Sequence, residues 1–205
     1  MITLERLNEI GRIAENDRGG IFPDPAFPPS VYYRFFRHLA AEIKPRIMVE
    51  LGVCGGGGAL HMAIGNPKGV VIGVDFQDDH HENIEWIKDH YENFHFWVMD
   101  SMEAAKKIFD AYGPIDFLFI DTDHTLEHTL AEYNAYKPFL AKDAIVCFDD
   151  LFRPGMEDAW NLIPEPKTRM DYLHDGTYPH GGGFGVHINQ AESPTAAYPG
   201  YEMGC

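Results

Sequence analysis

The sequence predicts an α/β fold in which helices cover both faces of a doubly wound, seven-stranded, mostly parallel sheet, with a short N-terminal helical cap. Three observations lead to this prediction. Short apolar runs alternate with helix-like segments from about residue 46 onward, a glycine-rich turn follows the first run, and acidic residues stand at the ends of several runs. Strands that alternate with helices are typical of parallel sheets, and the glycine turn makes the predicted fold Rossmann-like.

The N-terminal segment differs in composition from the rest of the chain. A helix is predicted over 4–14, and an aromatic-rich helix is predicted to begin at Tyr32. Between them, 19–30 carries two glycines and four prolines, which predicts a loop. The segment either caps the binding edge of the sheet, makes a subunit contact or only covers the sheet. The expected division of the chain is a cap at 1–45, a main domain at 46–190 and an irregular tail at 191–205.

Each later element follows from an apolar run or from helical spacing of apolar residues. The predicted strands are 47–49 with its continuation to residue 52, 70–74, 94–99, 115–120, 144–148, an extended piece at 170–173, and 184–188. The predicted helices are those near 59–63, 82–91, 101–112, 125–140 and 157–162. Ser101 is expected to cap the third of these helices.

Composition and charge exclude several classes of protein. The chain has 16 basic and 32 acidic side chains, a formal charge of −16, which argues against a nucleic-acid partner because phosphate contacts supply most of that affinity. No apolar run approaches the roughly 20 residues that span a bilayer, so no membrane partner is expected. The first residues lack the order of a signal peptide, so the protein is expected to be cytoplasmic. Three cysteines, Cys54, Cys147 and Cys205, favour reduced thiols.

A glycine-rich turn, Glu50-Leu51-Gly52-Val53-Cys54-Gly55-Gly56-Gly57, connects the first predicted strand to its helix. Glycines allow a ligand to approach the backbone, and free amides at a helix start favour a polar or anionic group. The dinucleotide pattern Gly-x-Gly-x-x-Gly is only partly matched, since Gly52 and Cys54 occupy its first two glycine positions. A tight turn with no ligand is the alternative interpretation.

Polar residues also end the second and third predicted strands. Asp75 follows the second strand, where a carboxylate can accept both hydroxyl hydrogens of a ribose. Asp100 and Ser101 follow the third strand and could border an adenine. Helix capping by either one is an equally good explanation.

Three carboxylates follow the fourth and fifth predicted strands, Asp121 after one and Asp149 with Asp150 after the other. Their hard oxygen ligands suit Mg²⁺ or a similar cation, which would also relieve their mutual repulsion. The alternative is that one caps a helix while the others face water. His124 is expected on the first turn of the next helix and facing the same site, as a general base; His128 is a weaker candidate.

These motifs resemble a known family. Glu50-x-Gly52-x-Cys54-x-Gly56 is similar to the first motif of class I S-adenosylmethionine-dependent methyltransferases. Ile120-Asp121-Thr122-Asp123-His124 and Phe148-Asp149-Asp150 resemble the metal-dependent small-molecule O-methyltransferases, in particular the branch of macrolide-sugar O-methyltransferases and the cephalosporin hydroxylase group. Catechol-type relatives carry a lysine where this chain has His124, which favours the sugar-type branch.

The resemblance implies a role for each site residue. Glu50, Gly52 and the adjoining backbone of Val53 and Cys54 would hold the methionine part of the cofactor, which Asp121 would also border. Asp75 would bind the ribose, and Asp100 with Ser101 would border the adenine. Asp121, Asp149 and Asp150 would hold Mg²⁺, and His124 would be the base.

The predicted function is Mg²⁺-dependent transfer of a methyl group from S-adenosylmethionine to a hydroxyl of a small molecule, a sugar or another diol. Two alternatives stay open: an NAD-dependent oxidoreductase, for which the fold and Asp75 are equally suited, and a cofactor-binding protein that does not methylate. The expected partner is a small hydroxyl-bearing substrate, and the aromatic N-terminal segment makes a homo-oligomer possible.

Overall fold

The computed structural model describes residues 2–17, 30–78, 80–174 and 182–194. Its centre is a seven-stranded sheet in the order β3-β2-β1-β4-β5-β7-β6. The strands are, in chain order, β1 (Ile47–Leu51), β2 (Val70–Asp75), β3 (Phe94–Val98), β4 (Ile115–Ile120), β5 (Leu140–Phe148), β6 (Lys167–Arg169) and β7 (Gly185–Ile188). β1 to β5 pair in parallel, whereas β7 pairs antiparallel with both β5 and β6. The predicted seven-stranded, mostly parallel sheet is confirmed.

Helices cover both faces of this sheet, as predicted. They are α1 (Leu4–Asn16), α2 (Val31–Ile43), α3 (Gly57–Gly65), α4 (His81–His90), α5 (Ser101–Tyr112), α6 (Leu126–Tyr136) and α7 (Met156–Leu162). The first four helices pack on one face of the sheet in one hydrophobic cluster. The last three helices pack on the other face in a second cluster. Among the described helices, none has the length and apolar character to cross a membrane.

The N-terminal helices are part of the core. Phe36 of α2 is fully buried, and its ring centroid lies 5.4 Å from that of Phe117 and 4.7 Å from that of Phe119, both on β4. Phe35 and Tyr32 of the same helix pack on Phe184, which precedes β7. α2 therefore covers the sheet, which was one of the alternatives for this segment. The predicted loop falls mainly on 18–29, which lies outside the described residues, as do 195–205 of the predicted tail.

Four local predictions were wrong. The piece at 170–173 is not extended: β6 ends at Arg169, and a 3₁₀ helix, Asp171–Leu173, follows. Asp171 Oδ1 accepts hydrogen bonds from Arg169 Nε and Phe184 N, which hold the chain at this turn. Asp100, not Ser101, caps α5, since its Oδ1 accepts from the amides of Met102 and Glu103.

The other two errors concern α6. The helix does not continue to residue 140: it ends at Tyr136, a 3₁₀ turn (Lys137–Phe139) contains Pro138, and β5 already begins at Leu140. Proline cannot donate the backbone hydrogen bond that a continuing α-helix requires. His124 also precedes the helix and does not lie on its first turn, because Thr125 is the N-cap and accepts a hydrogen bond from His128 N.

Candidate active site

A cavity of about 380 Å³ opens at the carboxyl ends of β1, β2 and β4. This is the edge at which open α/β sheets bind ligands. Its walls come from the loops that follow these strands, from the start of α5 and from α6. The lining residues are Gly52, Cys54, Val74, Asp75, Phe76, Asp100, Ser101, Asp121, Thr122, Asp123 and His128. The structure thus brings together six of the eight residues predicted to bind the cofactor.

Gly52 shapes the cavity because its backbone passes close to the β4 loop. Its φ is +79°, and a Cβ atom there would stand 2.0 Å from the carbonyl oxygen of Asp121. Asp121 N donates to Leu51 O, and Gly52 N donates to Val74 O, so the hydrogen-bond ladder continues past the strand ends. Only a glycine fits this combination of conformation and close approach.

Cys54 and Asp75 form the next part of the wall. The Cys54 amide donates to Asp75 Oδ2 over 3.1 Å, while Cys54 Sγ lies 3.3 Å from His80 Nε2. Burial raises the pKa of the Cys54 thiol, so the sulfur stays protonated near neutral pH. The Asp75 carboxylate is fixed by a backbone amide and still lines the cavity, where a ribose hydroxyl could reach it.

Two predicted cofactor residues do not line the described cavity. Val53 is buried and packs beside Gly73 in the core. Glu50 is only 1% exposed and lies under the start of α3, where a Cβ atom on Gly58 would stand 2.1 Å from Glu50 Oε1. Burial raises the Glu50 pKa to about 8, against a hydrogen bond from the Ala59 amide that lowers it. Its Oε2 is buried without a hydrogen bond, so this carboxyl can accept a polar hydrogen or a positive charge.

The acidic cluster lies beside the cavity. Burial raises the pKa of Asp121 well above its usual value, and the neighbouring Asp149, Glu50 and Asp150 raise it further. Burial and Asp150 also raise the pKa of Asp149, while a hydrogen bond from Tyr32 acts in the opposite direction. Asp149 Oδ1 is buried with no hydrogen-bond partner. Asp121 and Asp149 therefore form an acidic pair whose charge the hydrogen bond from Tyr32 and the nearby Arg153 offset only in part.

Asp150 differs because both of its oxygens are engaged. Oδ1 accepts from the Gly182 amide over 2.7 Å, and Oδ2 accepts from Arg153 Nε over 2.6 Å. The described residues contain no group of three or more His, Cys, Asp or Glu side chains arranged to hold a metal ion. The carboxylate oxygens of Asp121 and Asp149 suit a hard cation, whereas both oxygens of Asp150 already accept hydrogen bonds.

His124 lies between the carboxylates of Asp121, which follows β4, and Asp150, which follows β5. Its backbone is left-handed, with a φ of +47°, and its Nε2 lies 3.7 Å from Asp121 Oδ1 and 3.6 Å from Asp150 Oδ2. Burial lowers the pKa of His124; Asp150 raises it, and Arg153 lowers it. The imidazole is therefore neutral near pH 7, which is the form that can accept a proton.

Several residues at the site were missed or underrated from the sequence. Phe76, Thr122 and Asp123 line the cavity, and Phe76 is 75% exposed although it is large and apolar. The signal for Phe76 was its place directly after Asp75 at a strand end. Tyr32, at the start of α2, contacts Asp149 although it lies 117 positions earlier in the chain, which no local pattern could reveal.

A larger depression, of about 690 Å³, lies away from this edge, at the opposite ends of the strands. Arg46, Asp116 and Lys142 are among its lining residues. It contains none of the residues predicted to bind a cofactor, a metal or a substrate.

Comparison with known proteins identifies the family of this chain. A family described as a methyltransferase domain matches residues 49–151, which are 103 of the 205 residues. The chain belongs to this family. The match covers the glycine turn, the acidic cluster and His124, and it confirms the resemblance to class I methyltransferases that these motifs carried.

Two curated relatives of this methyltransferase domain have names that refer to rhamnosyl groups. A rhamnosyl O-methyltransferase of Mycobacterium tuberculosis is 24% identical over 160 residues, which is 68% of this chain and 63% of the relative. The 8-demethyl-8-alpha-L-rhamnosyl tetracenomycin-C 2'-O-methyltransferase of Streptomyces olivaceus is 29% identical over 154 residues, 66% of this chain and 39% of the relative. The chain therefore spans less than two thirds of the length of these relatives.

Solved structures share the fold of the methyltransferase domain. An O-methyltransferase from Bacillus cereus, solved in complex with SAH, has a TM-score of 0.65 and 19% identity and covers 90% of this chain and 89% of its own. The O-methyltransferase TomG from Streptomyces achromogenes, solved in complex with SAM, has a TM-score of 0.65 and 16% identity, with 93% and 92% covered.

Proposed function

We propose that this protein transfers a methyl group from S-adenosylmethionine to a hydroxyl of a small molecule of the sugar type, with His124 as the general base. The observation that carries the proposal is the partly buried, neutral His124 imidazole, which lies within 4 Å of Asp121 and Asp150 beside a cavity suited to the cofactor. The family match and the names of the rhamnosyl relatives support the reaction type and the acceptor class.

The chain offers a complementary group for each part of the cofactor. The buried, unpartnered Glu50 Oε2 would be stabilised by the ammonium of the methionine part, although Glu50 approaches from below the cavity wall. Asp75 would accept the ribose hydroxyls, and Asp100 and Ser101 would border the adenine beside the exposed ring of Phe76. When bound, S-adenosylmethionine supplies an electrophilic methyl group on a positively charged sulfur.

His124 performs the proton transfer in this proposal. The neutral imidazole accepts the hydroxyl proton of the substrate, and the resulting imidazolium is stabilised by Asp121 and Asp150, whose carboxylate oxygens lie 3.7 and 3.6 Å from Nε2. The acidic pair and the cavity would hold the acceptor oxygen in line with the methyl group. Positioning and proton removal then supply most of the acceleration.

A divalent cation such as Mg²⁺ belongs to the proposal as a second component. Asp121 and Asp149 would hold it, and Asp150 would join them only by releasing Arg153. A bound cation lowers the pKa of a hydroxyl that it contacts and removes the repulsion between the two carboxylates.

The test measures transfer of labelled methyl from S-adenosylmethionine to methyl α-L-rhamnoside, with added Mg²⁺ and with a chelator. His124→Gln should lower turnover about 10²- to 10⁴-fold while the affinity for S-adenosylhomocysteine is unchanged. His90→Gln, on the exposed end of α4, is the matched control and should keep full turnover. Turnover of His124→Gln within twofold of the original protein would remove the base from the mechanism.

A further variant tests the cation. Asp149→Asn should abolish any stimulation by Mg²⁺ and leave S-adenosylhomocysteine binding intact. Retention of the full stimulation in Asp149→Asn would contradict the assignment of the acidic pair.

A separate titration with NAD decides the main rival, because NAD binding in the absence of S-adenosylmethionine binding would favour an oxidoreductase.

A further inference from the structure

Glu132 is a buried acid that the reaction does not use. It lies on α6 with a side chain that is fully inaccessible to solvent, and its Oε2 accepts a hydrogen bond of 2.7 Å from Thr122 Oγ1. An ionisable group is rarely buried so completely without a partner or a task. Thr122 follows Asp121 directly and lines the cofactor cavity, so Glu132 holds the loop that forms one of its walls.

The second partner of Glu132 is His128, one turn earlier on the same helix. His128 Nε2 lies 3.2 Å from Glu132 Oε1. The contact is at hydrogen-bond distance but is not aligned as a hydrogen bond, so Oε1 stays without one. Two acceptor atoms at this separation would repel each other, and the ring hydrogen of a neutral His128 therefore resides on Nε2. The other ring nitrogen, Nδ1, is then an acceptor.

His128 also belongs to the cavity wall. Its side chain is partly exposed, and it lines the cavity together with Asp75, Phe76, Asp100 and Ser101, the residues placed around the ribose and the adenine. Nε2 is turned inward to Glu132, which leaves Nδ1 as the polar atom of the ring available to a ligand. Adenine presents an exocyclic amino group, which is a hydrogen-bond donor, whereas the hypoxanthine base of inosine presents a carbonyl oxygen at the same position.

We propose that His128, oriented by Glu132, recognises the amino group of the adenine and makes the cofactor site selective for adenosine over inosine. Glu132 is the positioning residue, and His128 determines the specificity. The inference rests on the proposed placement of S-adenosylmethionine in this cavity. It requires no methyl acceptor, so it can be tested by binding alone.

The experiment compares the affinities of S-adenosylhomocysteine and S-inosylhomocysteine by calorimetry at pH 8. The original protein should bind the adenosine compound about tenfold more tightly or better, because the inosine compound loses one hydrogen bond and brings two acceptors together. His128→Phe keeps a ring in the wall but removes Nδ1, and its two affinities should agree within about threefold. His90→Phe is the control and should keep the original ratio.

Glu132→Gln tests independently whether Glu132 sets the position of the His128 ring hydrogen. An amide in place of the carboxylate can donate to Nε2 and so favours the tautomer with the hydrogen on Nδ1, which should shift the ratio toward the inosine compound. Thermal unfolding of each variant confirms that it is folded. An unchanged ratio in His128→Phe, or no preference in the original protein, would overturn this inference alone; failure of S-adenosylhomocysteine to bind would overturn the proposed function as well.

Discussion

Gly52 is constrained both by its left-handed backbone conformation and by its close approach to the loop after β4. A side chain at Gly52 would have to adopt a positive φ and would stand 2.0 Å from the Asp121 carbonyl oxygen. Gly155 has a similar φ of +86°, but a Cβ atom there would be no closer than 3.6 Å to a neighbouring atom. Gly155→Ala should therefore cost about 1–2 kcal/mol in the free energy of unfolding, the cost of the left-handed conformation alone.

Gly52→Ala should cost clearly more than Gly155→Ala, because the β4 loop must also move. It should in addition weaken S-adenosylhomocysteine binding, which Gly155→Ala should not. Urea denaturation and calorimetry measure the two effects. Equal costs for the two variants would show that the close approach of Gly52 to Asp121 is not a constraint in solution.

Arg153 decides whether Asp150 is available to a cation. Its Nε donates to Asp150 Oδ2 over 2.6 Å, and charge-assisted hydrogen bonds of this kind are worth about 1.5–3 kcal/mol. Arg153→Ala should therefore raise the affinity for Mn²⁺, a spectroscopic substitute for Mg²⁺, roughly tenfold. Arg12→Ala, which removes an exposed pair with Glu15 on α1, is the control. Equal Mn²⁺ affinities in the original protein and Arg153→Ala would exclude this competition.

At the scale of elements, α2 joins the N-terminal segment to the sheet. Phe36→Ala removes a fully buried ring between α2 and β4 and should cost about 3–5 kcal/mol in the free energy of unfolding. Phe152→Ala removes a ring of the same size that is 62% exposed and lies under the Arg169 guanidinium, so it should cost no more than about 1 kcal/mol. Similar small effects of both changes would mean that 1–45 is a dispensable cap.

Apolar runs located the central strands well, because a parallel strand that is buried on both faces leaves a continuous hydrophobic signal. β1 to β5 all fall on predicted runs, although β5 begins four residues earlier than predicted, at Leu140. β6 was missed because Lys167–Arg169 is a polar edge strand, defined by its pairing with β7 and not by any pattern of its own.

The acidic edge could be predicted for a similar reason, since the carboxyl ends of parallel strands meet at one edge of the sheet. The engagement of Asp150 could not be predicted. Its partner Gly182 is brought to the site by the antiparallel return of β7, and Arg153 reaches it through a turn after β5. Contacts of this kind depend on tertiary pairing and leave no spacing that can be read from the sequence.

For the whole molecule, the buried carboxyls make stability depend on pH. The pKa of Glu50 is about 8 in the folded protein and about 4.5 when the chain is unfolded, so the folded state binds an extra proton between these values. Its contribution to stability is complete below pH 4.5 and is lost as the pH rises through 8, with a slope of at most about 1.4 kcal/mol per pH unit. The raised pKa of Asp149 acts in the same direction.

The free energy of unfolding should thus fall between about pH 6.5 and pH 8, above the range in which the lowered pKa values of His61, His124 and His187 act in the opposite direction. Glu50→Gln should make this fall shallower without removing it. Glu103→Gln, an exposed acid near the start of α5, should leave the profile unchanged. Urea denaturation at several pH values measures the slope. A profile for Glu50→Gln as steep as that of the original protein would show that Glu50 is not protonated in the folded state.

The central claim is that the edge formed by the β1, β2 and β4 loops binds S-adenosylmethionine with its sulfur toward Asp121 and His124. A crystal structure of the complex with S-adenosylhomocysteine tests it most directly. The predicted result is a ligand in the 380 Å³ cavity, with the ribose on Asp75, the adenine beside Phe76 and His128, and the sulfur facing His124. A ligand bound elsewhere, or one whose sulfur faces away from His124, would contradict it.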